Sequence, residues 1–207
     1  MNTPQKIAQA LIKINAVSFL PNNPIIFKSG IKSPVYIDNR KFPFHPEEWK
    51  SVIKGFANVI RKNNIDFDVI AGVETAGIPH SAGLGFFLKM PSVFVRKQTK
   101  DHGTKKMVEG GEVSGKKVLL IEDIVSAGHS SLAAVATLRS EGAIVNDCLV
   151  ILSYGFYEAK EGFERTNVRL HALTSFSVIL NEAEKQGLLK GNDQKRIKDW
   201  VKKYTFK

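Results

Sequence analysis

The chain has 207 residues, 43% of them apolar, with 30 Lys and Arg against 20 Asp and Glu, a formal charge of +10 and a pI of about 9.6. Length and apolar content fit one domain with a real core, residues 1–207, and exclude disorder for most of the chain. Apolar runs such as 148–152 fall far below the roughly 20 residues that span a bilayer, so the expectation is a soluble, cytoplasmic protein with no membrane partner.

In chain order, Thr3-Pro4 reads as a helix cap and first position, and Ile7, Leu11 and Ile14 alternate with Lys6, Gln9 and Lys13. This predicts an amphipathic helix over 4–15 rather than a signal peptide, which needs an unbroken apolar centre and a small-residue cleavage site. Segments 25–27 and 35–37, joined by Lys28-Ser29-Gly30-Ile31-Lys32-Ser33, predict an antiparallel pair outside the main sheet, a small hood within about residues 1–45. Helices are predicted over 46–63, 78–88, 129–141, 178–186 and 192–203, and strands over 69–73, 92–95, 117–122 and 143–152. Apolar, β-branched runs alternating with helices indicate an α/β fold with a mainly parallel central sheet flanked by helices. The stretch 97–115 lacks hydrophobic periodicity and has the length of a functional or mobile loop. The lone Cys148 excludes a disulfide framework and a cysteine-based metal site.

Basic charge fits nucleic acid, membrane, anionic small molecules or plain solubility, and its distribution separates these. Between Arg96 and Lys117 there are seven basic and three acidic residues, in glycine-rich sequence; from Glu182 onward there are eight and four, on a helix. That helix sets Ile197, Trp200, Val201 and Tyr204 against Lys195, Lys198, Lys202 and Lys203, a pattern read as a solvated basic face.

The strongest chemical signal is Val-Leu-Leu-Ile-Glu-Asp-Ile-Val-Ser-Ala-Gly-His-Ser at 118–130. A strand ends in Glu122 and Asp123, runs through Ile124 and Val125, and enters the small, polar Ser126-Ala127-Gly128-His129-Ser130 before a helix. Ligands collect beyond the carboxyl ends of strands in open α/β sheets, and a helix N-terminus offers N–H groups to a phosphate. Gly128 lets backbone approach closely, and Ser126 and Ser130 can donate to the anion. The carboxylates suit ribose hydroxyls or a transient positive charge on a sugar; an ordinary capped turn with an acidic pair is the alternative.

This segment resembles the phosphoribosyl-diphosphate signature of the type I phosphoribosyltransferases. The stretches 27–40 (FKSGIKSPVYIDNR), 71–85 (AGVETAGIPHSAGLG) and 95–103 (VRKQTKDHG) resemble, in order and spacing, those of the orotate phosphoribosyltransferases, in their short bacterial branch. The resemblance implies the type I phosphoribosyltransferase fold with an N-terminal hood. It also implies magnesium-dependent transfer of a 5-phosphoribosyl group from phosphoribosyl diphosphate to N1 of orotate, giving orotidine 5′-monophosphate in pyrimidine synthesis. Magnesium would be held by substrate oxygens with few or no protein ligands. Two rival readings are a phosphoribosyltransferase for another base, and a phosphoribosyl-diphosphate sensor of this fold that binds nucleic acid; the complete basic run at 96–103 argues against the latter.

Carried residue by residue, the resemblance assigns the 5′-phosphate to Ser126, Ala127, Gly128, His129 and Ser130 and the ribose hydroxyls to Glu122 and Asp123, and counts Ile124 and Val125 among the residues that bind phosphoribosyl diphosphate. Diphosphate falls to Arg96, Lys97, Lys100, His102, Thr75 and Ala76, with Lys28 near both substrates. Orotate falls to Lys28, Val35, Tyr36, Arg40 and Ser126, and catalysis to Lys100, His102 and Asp123. Residues alone leave Arg40 open between a carboxylate of the substrate and a salt bridge with Asp38. The loop 96–110 is implied to reach a neighbouring subunit's active site, making a homodimer. Relatives with an Asp-Arg pair after the strand ending near Leu152 use that arginine for orotate's carboxylate; here Ser153-Tyr154-Gly155 stands instead.

Overall fold

Apolar residues at consecutive positions need cover on both sides, and the strands they form take the middle of one sheet. The fold is that of a computed structural model, which describes residues 2–27, 29–97 and 107–205. In chain order these form α1 (Thr3–Lys13), β1 (Val17–Phe19), β2 (Ile25–Ile26), β3 (Lys32–Ser33), β4 (Val35–Ile37), a 3-10 helix (Asn39–Phe44) and α2 (Pro46–Lys62). There follow β5 (Val69–Val73), α3 (Gly77–Leu88), β6 (Ser92–Val95), β7 (Val108–Glu109), β8 (Lys117–Val125) and α4 (His129–Ser140). The chain continues through β9 (Ile144–Ser153), α5 (Tyr157–Arg165), β10 (Arg169–Ser175), α6 (Phe176–Lys185) and α7 (Gly191–Thr205). No helix among the described residues is long and apolar enough to cross a membrane.

The central sheet has the order β10-β9-β8-β5-β6-β7 and is parallel except for β7, which runs antiparallel to β6. Alternation along β8 distributes two cores. Leu119 and Ile121 join the residues of α1, α2 and α6 on one face, and Val118 and Leu120 join Ala134, Val135 and Leu138 of α4 on the other. Helices α2 and α3 meet where Trp49 lies against Gly83, at which a Cβ would come within 2.8 Å of the indole. The indole N–H donates to His80 Nδ1 at 3.1 Å, and burial lowers the imidazole's pKa to about 4, keeping it neutral.

Several expectations need correction. The cap of α1 is Asn2, whose side chain accepts from Gln5 N–H at 3.1 Å; Thr3 is already helical. Segments 25–27 and 35–37 do not pair with each other. β2 pairs with β3, and β4 pairs with β1. Pro34, which has no N–H for a ladder, sits at the switch, with Ser33 Oγ donating to Val35 O at 2.7 Å while Leu20 N–H takes the Pro34 carbonyl at 2.6 Å. The stretch 97–115 contains β7, and α5 and β10 were not predicted at all. Only Ala159, Gly162 and Phe163 of α5 are buried, too few for a periodic signal, and β10 is an edge strand with a half-exposed pattern.

The start of α3 is pressed against the sheet. A Cβ on Gly77 would come within 2.6 Å of the Ile121 carbonyl, a backbone atom of the neighbouring strand β8. Gly77→Ala is therefore expected to destabilise by about 1–3 kcal/mol, seen as a melting temperature lower by roughly 3–10 °C in a calorimetric scan. An unchanged melting temperature would show that the helix can lift away freely.

Candidate active site

The carboxyl end of β8 carries the acidic pair. Glu122 is buried beneath α4, and its two carboxylate oxygens accept from the Asp123 N–H at 3.0 Å and the Ser130 hydroxyl at 3.1 Å. Burial, with Asp123 beside it, pushes the Glu122 carboxyl well above the usual carboxylate range. Asp123 is raised too, chiefly by burial, against the opposing effect of hydrogen bonds from its neighbours. Asn39 of the 3-10 helix is fully buried and donates from Nδ2 to the Asp123 carbonyl at 2.9 Å, so the hood side of the molecule holds this turn in place.

Beyond Val125 the chain turns through Ser126 and Ala127 to Gly128, whose φ of +88° is the left-handed conformation that favours glycine. Gly128 caps α4 without a side-chain hydrogen bond, and the first turn of the helix carries no acidic residue. Its leading N–H groups are thus left for another acceptor. His129 turns toward α5, its Nε2 lying 2.7 Å from Glu158 Oε1, so the imidazole opening the helix has a partner on the protein.

The neighbouring strand β5 ends the same way. Thr75 and Ala76 follow it, the Glu74–Thr75 peptide is cis, and α3 begins at Gly77 with no side-chain cap. Glu74 accepts the Lys97 N–H at 2.8 Å, tying the end of β6 to this loop. Arg96 pairs with Glu109 of β7 at 3.0 Å, while its Nε is buried with no hydrogen-bond partner among the described residues.

Between these loops lies a cavity of about 440 Å³. Arg96, Lys97, Ile124 and the whole run Ser126–Ser130 line it, joined from the hood by Phe27 and Ser29. The Ser29 hydroxyl, like Arg96 Nε, is buried and has no partner among the described residues. A larger cavity of about 830 Å³ runs along α5 and β10 and holds none of the residues that sequence points to. The smaller one is the better candidate, because it combines the open N-terminus of α4 with Arg96, Lys97 and strand carboxyl ends.

The other expected residues lie elsewhere. Val35 and Val125 are buried in the cores, and Thr75 and Ala76 sit at the α3 entrance. Tyr36 is partly exposed, and its hydroxyl accepts from Arg40 at 2.7 Å. Arg40 Nε pairs with Asp38 Oδ1 at 2.6 Å, the salt bridge named above as one of its two alternatives. Lys28, Lys100 and His102 lie outside the described residues. Sequence reasoning missed Asn39, Phe27 and Glu74. Nothing local distinguishes a buried Asn that holds a carbonyl from an exposed one in a turn.

Comparison with known proteins converges on one family. Residues 45–168 match the phosphoribosyl transferase domain. The chain is 38% identical over 202 residues to the orotate phosphoribosyltransferase of Coxiella burnetii, covering 98% of this chain and 97% of that one. Its fold resembles the orotate phosphoribosyltransferase of Aeropyrum pernix, with a TM-score of 0.76 and 30% identity over 89% of this chain and 99% of that one. It also resembles Leishmania donovani UMP synthase, with a TM-score of 0.84 and 25% identity over 97% of this chain; it spans 42% of that longer protein.

The raised Glu122 carboxyl has a consequence for stability. The folded state holds this proton more tightly than the unfolded chain, so its contribution is complete below the ordinary carboxylate pKa and is lost as pH rises toward the folded value. Glu122→Gln should therefore melt a few degrees above wild type at pH 8, at about 2–4 °C per kcal/mol. The gap should close toward pH 4.5. A gap that does not change with pH would contradict the buried, protonated carboxyl.

Proposed function

Since the chain belongs to the orotate phosphoribosyltransferases, we propose that the cavity beyond β8 and β5 is where it transfers the 5-phosphoribosyl group of phosphoribosyl diphosphate to orotate. The observation that carries this placement is the pair of helix N-termini, α3 and α4, both without side-chain caps, opening at the ends of adjacent strands. Two anionic groups of one substrate require two such donor sets. The α4 turn, Ser126–Ser130, takes the 5′-phosphate, and the α3 turn with Arg96 and Lys97 takes the diphosphate.

In the reaction the bond from the ribose anomeric carbon to the diphosphate oxygen breaks and a bond from that carbon to N1 of orotate forms. Both electrons of the broken bond leave with the diphosphate. Positive charge develops on the sugar and negative charge on the leaving group, so the protein's task is positioning and charge stabilisation. Asp123 is assigned to the sugar. Glu122, whose oxygens are occupied by Ser130 and the Asp123 N–H, acts beneath it as a support. Arg96 and Lys97 meet the leaving group, joined by Lys100, His102 and Lys28, whose roles rest on the family resemblance.

The described residues contain no group of three or more His, Cys, Asp or Glu placed to hold a metal. A hydrated magnesium that takes most of its ligands from substrate oxygens fits such a donor set, with Asp123 as the carboxylate for its water shell. When bound it supplies charge neutralisation of the diphosphate. Orotate belongs under the hood, against Tyr36, with Arg40 and backbone N–H groups as the donors for its carboxylate.

A homodimer completes the proposal. Apart from the buried His80 and Ser81, helix α3 is built of apolar residues and glycine, yet Phe86 is 91% exposed and Phe87 49%. A helix without a polar face is ordinarily covered on all sides, and a second copy of the chain is the cover proposed here. The basic loop would then serve the partner's cleft.

Three outcomes check these assignments. Lys100→Ala should lower kcat by about 10²- to 10³-fold, with a much smaller effect on phosphoribosyl-diphosphate affinity. Mixing it with inactive Asp123→Asn should restore part of the activity, because some mixed dimers contain one intact site; no recovery would contradict a shared site. Phe86→Glu should sediment as a monomer in analytical ultracentrifugation, and a variant that remains dimeric would place the interface elsewhere.

A further inference from the structure

Helix α7 reads from sequence as a solvated basic face, but its other face does something more specific. Ile197 is fully buried, and the Trp200 ring meets Phe27, Tyr154, Phe156 and Phe176 edge-on, with centroids 5.7 to 6.5 Å apart. Two polar contacts reach from this helix to the hood. The Trp200 indole N–H donates to the Lys32 carbonyl at 2.7 Å, and Arg196 donates to Asn22 Oδ1 at 2.8 Å.

Besides α7, this part of the hood is held by the Phe27 ring against Tyr154, with centroids 5.6 Å apart, and by Ile31 against the core. Strands β2 and β3 are two residues each, joined through a turn in which Phe27 N–H donates to the Ile31 carbonyl and Gly30 N–H to the Phe27 carbonyl, both at 2.9 Å. A two-stranded ribbon of this length is marginal in water by itself. Phe27 and Ser29 of the same turn line the active-site cavity. The Trp200 ring therefore backs the residue that roofs the cavity, while its N–H fixes the carbonyl that ends the turn.

We propose that Trp200 is a positioning residue for the base substrate: through Phe27 and the Lys32 carbonyl it holds the β2–β3 hairpin in the place orotate requires. This rests on the reading above that the hood is orotate's side of the cleft. Phosphoribosyl diphosphate takes most of its contacts from the α3 and α4 turns, Arg96 and Lys97, and meets this hairpin through Lys28, so it depends on the contact less than orotate does. The two substrates should therefore respond differently when it is lost.

Trp200→Phe removes the N–H and keeps a ring in the aromatic cluster, so the fold is retained. Losing one such hydrogen bond should raise KM for orotate by about 3- to 10-fold, with kcat and KM for phosphoribosyl diphosphate within about twofold of wild type. An unchanged KM for orotate would overturn the inference, and so would equal rises in both KM values, which is what general loosening produces. Tyr36→Ala, measured in parallel, separates this from the reading it rests on. If Tyr36→Ala raises KM for orotate and Trp200→Phe does not, only the role of Trp200 fails. If Tyr36→Ala leaves that KM unchanged, the hood is not orotate's side and both fail together.

Discussion

Two carboxyl groups at the end of a buried strand are the constraint around which the rest of the cleft is arranged. A carboxylate removed from water without partners costs several kcal/mol, and Glu122 and Asp123 stand side by side. The structure meets this with the Ser130 hydroxyl and the Asp123 N–H on Glu122; Asn39 holds the backbone carbonyl of Asp123. Burial leaves the Glu122 carboxyl with a strong hold on its proton, which limits repulsion within the pair. Ser130 lies in the first turn of α4, so holding Glu122 also fixes where that helix begins. Asn39 ties the acidic pair to the hood, so one polar network sets the positions of the start of α4, the acidic pair and the hood.

Much of this was legible in the residues. The run at 118–130 announced a strand, an acidic pair and a glycine turn into a helix, and the structure has each of them in that order. The middle strands were readable because burial on both faces leaves an uninterrupted apolar run. The hood was not, because β1 to β4 have two or three residues each and Pro34 sends adjacent strands to different partners. Helix α5 escaped notice because three buried residues do not make a period. At the site, Asn39 and Trp200 were invisible as functional residues, since their roles depend on contacts across 84 and 168 positions of sequence.

The charge of +10 takes on a local meaning in this arrangement. Arg96 and Lys97 face the cavity at the ends of the strands, and Arg40 is held by Asp38 and Tyr36 at the hood. A smaller part lies on α7, where five basic residues stand against two acidic ones and the lysines serve solvation on one face, while Trp200 and Ile197 tie the other face to the body and the hood. A single helix thus links the last elements of the chain to its first.

The central claim, that this cleft joins a phosphoribosyl group to orotate, is tested most directly by mixing the protein with phosphoribosyl diphosphate, magnesium and one base at a time while following base absorbance and diphosphate release. With orotate, absorbance should fall and one diphosphate should appear for each orotate consumed. Adenine, hypoxanthine and uracil should release none. Diphosphate release with one of those bases, and none with orotate, would contradict the account.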